Sequence, residues 1–304
     1  MLTEKPWRAE AIVRLLAAMF TCMMLGSLVL LVIRFNPAAA TISATIFYSI
    51  VVAAAACLLG AIAFVARPWS LDNFKSRAAP AVVCLYLGIA ILGFAQNYSG
   101  VTGKEATITG MLASTLSFQG AAIPLLWVFV RQHGANLRSG FGFGEHPRHA
   151  MLLGATVGLA FIPVGLGLQY GIAFLAKQCF GLELGEQNAV TILRLADSWT
   201  DRIALGVVTM ILAPLAEEGL FRGVLFPFIR RWGWPQAALW STAVVFALIH
   251  FNTLSFFPLM IFAVVLAKVY EKTNNLLACI VGHAAFNCFN YVMLFVTNTS
   301  SQPQ

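Results

Sequence analysis

Glu217, Glu218 and Arg222 stand within six residues of one another in "APLAEEGLFRG", flanked by "LGVVTMIL" before and "VLFPFI" after, both almost wholly apolar. They are the only Asp, Glu, Lys or Arg side chains placed deep in an apolar run of this chain. A single charge at the centre of a membrane helix costs about 2.5–3.5 kcal/mol, so three together require mutual neutralisation or a function that offsets the cost. On a helix, Glu218 and Arg222 are four residues apart and face each other across one turn. Glu217 points about 100° away. One carboxylate is then held in an ion pair, and the other is left for acid–base chemistry. A purely structural ion-pair network accounts for Glu218 and Arg222 but leaves Glu217 surplus.

The neighbouring residues shape that segment. Pro214 removes a backbone N–H three residues before Glu217 and is expected to bend the helix there. Gly219 and Gly223 form a G-x-x-x-G that lets another helix approach closely. Two further apolar runs each carry one histidine: His250 ends "FALIH", and His283 opens "HAAFN", where Asn287 lies four residues on and shares its helix face. A single histidine in such a run usually serves packing. Two of them, with Asn287, following a run that carries paired glutamates, point instead to an acid–base site. The six cysteines have no C-x-x-C spacing and read as small packing residues rather than disulfides or a metal cluster.

Positioning such residues falls to long apolar helices. The 304-residue chain is 60% apolar and 10% charged, a composition outside the range of soluble domains. Nine apolar runs, at about 11–33, 42–66, 78–95, 107–130, 150–176, 203–229, 236–252, 254–270 and 275–296, are each long enough to span a bilayer. No alternating pattern suggests a β-barrel. The expected fold is all-α, a polytopic transmembrane bundle of about 8–9 helices in the lipid bilayer of the plasma membrane. The first run, with Lys5 and Arg8 before it and "PAAA" after it, resembles a signal peptide but is too long in its apolar core and reads as a retained helix. Three parts follow: residues 1–202, helices and loops with nothing that looks catalytic; residues 203–296, the core bearing the polar residues; and the polar tail 297–304.

The net charge of +7 reads as topology rather than affinity for nucleic acid. With the N-terminus inside, thirteen Lys and Arg fall on the cytoplasmic side against five on the other, which favours N-inside and C-outside. The loop "RQHGANLRSGFGFGEHPRH", residues 131–149, has no strand before it and is no nucleotide fingerprint. It reads as a flexible basic loop against anionic headgroups. Residues 177–202 are expected to form an interfacial amphipathic helix.

Taken together, "APLAEEGLFRG", "FALIH" and "HAAFN" resemble the three motifs of the CPBP family, the CAAX prenyl protease and bacteriocin-processing (Abi-like) intramembrane proteases. Their pattern is E-E-x-x-x-R, F-x-x-x-H and H-x-x-x-N, in that order on successive membrane segments. The resemblance covers roughly residues 203–290. It implies an intramembrane endopeptidase acting on a membrane-associated protein or peptide. Glu217 and His250 would hold and activate a water, and His283 and Asn287 would donate hydrogen bonds to the developing oxyanion. Glu218 and Arg222 would hold these groups in place, with Phe246 packed beside His250. Such proteases were long called metalloproteases, and Glu217, His250 and His283 could supply three zinc ligands. The absence of H-E-x-x-H, and an Asn287 with no part in such a site, favour a glutamate mechanism without metal or other cofactor. No G-x-S-x-G element and no aspartate lies within a run, so serine and aspartyl chemistries fit worse. Cys279, four residues before His283, is a sterically possible nucleophile, but an apolar cysteine is usually inert. A non-catalytic immunity or scaffold protein that keeps the motif is the alternative reading, and a transporter the next.

Overall fold

The computed structural model describes residues 5–35, 55, 58–66, 108, 111–112, 115–143 and 146–299. The apolar run at 78–95, most of 42–66, much of the start of 107–130 and residues 300–304 of the tail lie outside the described residues. The described residues are helical, with turns and short connections and no strand among them. The chain divides into two compact units, Pro6–Gly134 and Ala135–Gln304 with the first five residues.

In the first unit, helix α1 (Ala9–Phe35) packs on helix α2 (Ala121–Gln132), which is entered through a π-helical turn at Leu116–Gly120. Trp7 is fully buried, with its ring centroid 5.1 Å from Phe129 and 5.3 Å from His133. His133 Nδ1–H donates to Phe129 O at 2.7 Å, and its Nε2 accepts the Arg8 backbone N–H at 3.1 Å. That pairing uses both ring nitrogens and requires the neutral tautomer.

The second unit contains the three motifs. It runs through α3 (Leu137–Phe141), α4 (Pro147–Phe180), α5 (Asn188–Arg194), α6 (Trp199–Arg230), α7 (Pro235–Leu248), α8 (Thr253–Thr273) and α9 (Leu276–Thr299). Their boundaries are written in the sequence. Asn136 and Ser139 form a capping box at α3, Ser198 caps α6 through Asp201 N, and Asn252 caps α8 through Ser255 N. Pro147 and Pro235 open α4 and α7, where a missing N–H costs nothing. Gly181, at φ 64°, ends α4, with Leu182 N–H bonded back to Ala176 O.

Among the described residues four helices, Pro147–Phe180, Trp199–Arg230, Thr253–Thr273 and Leu276–Val296, are long and apolar enough to cross a membrane. The run at 236–252 yields only the 14-residue α7, roughly 21 Å long against a hydrocarbon core of about 30 Å. His250 shortens it. Its ring donates Nδ1–H to Phe246 O at 2.7 Å while its own backbone N–H turns to Ala247 O, so a side chain takes the place of the next helical bond. Phe251, at φ 47°, then reverses the chain into α8.

At Gly223, the second glycine of the G-x-x-x-G, the element that approaches closely is the short helix α3. A Cβ on Gly223 would meet the Phe141 ring of the short helix α3. The close backbone approach is between α4 and α9, where a Cβ on Gly154 would overlap Ala278 O and one on Gly158 would overlap Gly282 O. Loop 131–149 is also more structured than a flexible headgroup-binding segment. Residues 137–141 are helical, Phe141 is 4% exposed, and Gly142, at φ 74°, sits where a Cβ would strike Asn274 O. Of the segment 177–202, residues 188–194 form the helix α5, braced by a two-bond Arg194–Glu186 pair at 2.9 and 3.0 Å.

Candidate active site

Helix α6 is not a regular α-helix. Its backbone is π-helical at Val208–Leu212, α-helical at Ala213–Glu218 and π-helical again at Gly219–Leu225. The first irregularity follows from Pro214. Ala213 N–H donates to Val208 O, five residues back, and the residue that would continue that spacing has no N–H to give to Thr209 O. The bend expected at the proline thus takes the form of an expanded turn, of the kind that recurs at functional sites.

The segment between the two π turns carries the paired glutamates into the protein. Glu217 is 7% exposed, Glu218 0%, Arg222 2% and His283 4%. Arg222 Nη1 donates to Glu218 Oε1 at 2.8 Å, its Nη2 donates to Ala263 O of α8 at 3.0 Å, and its guanidinium lies 4.7 Å from the Phe246 ring centre. The (i, i+4) pair read from spacing is present. It is fixed on two other helices as well, since a buried guanidinium needs its donors met.

The second partner of Glu218 was not legible from spacing. His283 Nδ1 lies 2.9 Å from the same Oε1. A carboxylate only accepts, so Nδ1 carries the proton and Nε2 is the other face of the ring. His283 Nε2 lies 4.0 Å from Glu217 Oε2. The two adjacent carboxylates therefore address the two nitrogens of one imidazole. Phe246 and Phe262 wall that ring, each with its centroid 5.8 Å away. Phe262 continues into an aromatic core with Phe161 and Phe286. The Gly158–Gly282 approach, one residue before His283, sets the height of this ring against α4.

His250 joins the cluster through Phe246, its ring centroid 5.0 Å from that phenyl. With Nδ1–H committed to Phe246 O, its Nε2 is the lone-pair nitrogen. Asn287 stands apart from Glu217. Its Nδ2 donates to Thr209 O at 2.9 Å, about two turns earlier on α6. Of the seven residues singled out in the sequence, Glu217, Glu218, Arg222, Phe246 and His283 are packed together. His250 and Asn287 are held at the margins by specific hydrogen bonds.

Among the described residues no group of three or more His, Cys, Asp or Glu is arranged to hold a metal ion. Glu217, His250 and His283, which could have supplied three zinc ligands, do not make up such a group. Cys279 is fully buried with Sγ 3.2 Å from Leu266 O, among packing residues rather than at an accessible surface.

Sequence reading missed the contributions of Thr209, Ala263, Phe262 and the glycines of α4. Two signals were there to find them. Pro214 marks an open carbonyl one turn upstream, and Gly154-x-x-x-Gly158 matches Gly282 next to His283. Arg222 binding to the Ala263 carbonyl has no sequence signal, since any residue supplies one.

Residues 199–289, from the first turn of α6 into α9, match a family model described as Rce1-like, type II CAAX prenyl endopeptidase Rce1-like. The match covers 91 of the 304 residues. No curated protein and no solved structure matches the chain.

Proposed function

We propose that the chain is a multi-pass intramembrane endopeptidase of the plasma membrane, with about 8–9 membrane helices, that hydrolyses a peptide bond of a membrane-associated protein or peptide. The observation that carries this reading is the buried Glu217 carboxylate 4.0 Å from His283 Nε2, with the opposite nitrogen of that ring tied to Glu218. The similarity of residues 199–289 to type II CAAX prenyl endopeptidases supports the same chemistry.

In the proposed reaction, Glu217 accepts a proton from water and the resulting hydroxyl attacks the scissile carbonyl carbon. His250 Nε2, its lone pair exposed by the bond to Phe246 O, holds that water. Asn287 donates a hydrogen bond to the carbonyl oxygen as it becomes an oxyanion, joined by His283 from Nε2 in the doubly protonated form of that ring, whose Nδ1–H stays on Glu218. When the tetrahedral intermediate collapses, the proton on Glu217 passes to the departing amine, leaving a carboxylic acid, a free amine and the enzyme as it began. Glu218 and Arg222 keep the His283 ring in register with Glu217. No metal ion enters any step.

The test is Glu217→Gln, which keeps the shape of the side chain and removes its basicity. Membrane proteomes of cells carrying the wild type and this variant are to be compared for uncleaved precursors. Precursors should accumulate with Glu217→Gln at unchanged protein level, with cleavage slowed on the order of 10²–10⁴-fold. Unimpaired cleavage would remove Glu217 as the base and return the scaffold reading.

A further inference from the structure

One carbonyl on α6 has no helical partner, and a side chain from α9 takes it. Thr209 O would be bonded by residue 213 in an α-helix or by residue 214 in a π-helix. Ala213 N–H is drawn to Val208 O, and residue 214 is proline. An orphaned carbonyl in an apolar setting is costly, and Asn287 Nδ2 meets it at 2.9 Å. Because a carbonyl only accepts, the contact also fixes the orientation of the amide. Nδ2 faces α6 with one N–H engaged, the second N–H remains for an incoming oxygen, and Oδ1 is turned away.

We infer that Pro214 is a positioning residue for Asn287, acting through the Thr209 carbonyl that its missing N–H leaves open. The inference rests on the proposed role of Asn287 as an oxyanion donor. An unanchored amide can rotate and present Oδ1, an acceptor, to the developing negative charge, so an anchor on Nδ2 is what the chemistry requires. The anchor comes from a backbone defect in the neighbouring helix.

Pro214→Ala returns the missing N–H and lets α6 satisfy Thr209 O by itself. The first measurement is thermal unfolding in detergent for the wild type, Asn287→Ala, Pro214→Ala and the double variant. Asn287→Ala should lower the midpoint by roughly 2–4 °C when residue 214 is proline, and by less than about 1 °C when residue 214 carries an N–H. Equal lowering in both backgrounds overturns the inference. The second measurement is kinetic, on a cleaved peptide identified from the Glu217→Gln comparison. Pro214→Ala should lower kcat by about 10²-fold with KM unchanged, the loss expected of a misplaced catalytic group. Adding Asn287→Ala should then cause little further loss. Wild-type kcat in Pro214→Ala, or losses that multiply, overturn the inference. Pro214→Gly also restores the N–H and should behave as Pro214→Ala does. The stability cycle reads the Pro214–Thr209–Asn287 link whether or not the chain is a protease, so its failure is distinct from a Glu217→Gln variant that stays active.

Discussion

His283 Nδ1 sits 2.9 Å from Glu218 Oε1, the same oxygen that accepts Arg222 Nη1 at 2.8 Å. One carboxylate oxygen thus couples a cation on its own helix to a ring from α9. The consequence is directional. The proton is held on Nδ1, and Nε2 is the nitrogen turned toward Glu217.

Arg222→Ala should be strongly destabilising. It leaves Glu218 buried without its cation, removes the donor to Ala263 O and empties the space over Phe246. Breaking one side of a buried pair costs on the order of 3–5 kcal/mol. Thermal unfolding in detergent should show the loss, and Arg222→Lys should recover only part of it, since a lysine cannot fork between Glu218 and Ala263. An unchanged transition with lost activity would make Arg222 a catalytic group instead.

Glycine substitutions in α4 should divide sharply by position. Gly158→Ala forces α4 and α9 apart at Gly282 and moves His283, with a cost of about 1–3 kcal/mol. Gly167→Ala and Gly171→Ala meet nothing within 4 Å and should be neutral or stabilising by about 0.4–1 kcal/mol through the unfolded chain. Unfolding midpoints of the three variants check this. A Gly158→Ala protein as stable as Gly167→Ala would show that the helix contact does not set the packing.

The contact that anchors the start of α1 should weaken in acid. Burial holds His133 below the usual imidazole range, against the favourable Phe129 carbonyl and Glu10, while Arg8 and Arg14 also act to lower it. A depressed histidine means that the unfolded segment binds more protons than the folded one. The contribution is therefore complete above about pH 6.5 and is lost as pH falls through the folded value. Hydrogen exchange at the Arg8–Ile12 amides should be slow at neutral pH and faster near pH 5. His133→Gln, which does not titrate, should show no such change beyond the intrinsic pH dependence of exchange. A wild-type protein whose protection is flat across this range would exclude the link.

A strong chelator should leave cleavage intact, and elemental analysis should find well under one zinc per chain. The reason is that no group of three or more His, Cys, Asp or Glu among the described residues is arranged to hold a metal ion. Stoichiometric zinc whose removal abolishes activity would reverse the choice of mechanism.

Composition and spacing alone determined that the chain is helical and built from apolar runs, and they single out Glu217, Glu218, Arg222, His250, His283 and Asn287 as the candidates for its chemistry. These features follow from local rules. Charges in an apolar run need a reason, and residues four apart share a helix face. The Glu218–Arg222 pair was legible because both partners lie on one helix. The Glu218–His283 bond, 65 residues apart in sequence, was not, because nothing local says which helix faces which. Likewise Pro214 announced a defect in α6, but only the packing of α9 against it revealed that Asn287 satisfies the carbonyl left open. The 236–252 run looked long enough to span, yet it ends at Leu248 because the His250 side chain takes the Phe246 carbonyl. Hydrophobicity marks which residues leave water. Which hydrogen bonds they then make depends on close-packed neighbours distant in sequence, and that was decided by the tertiary structure.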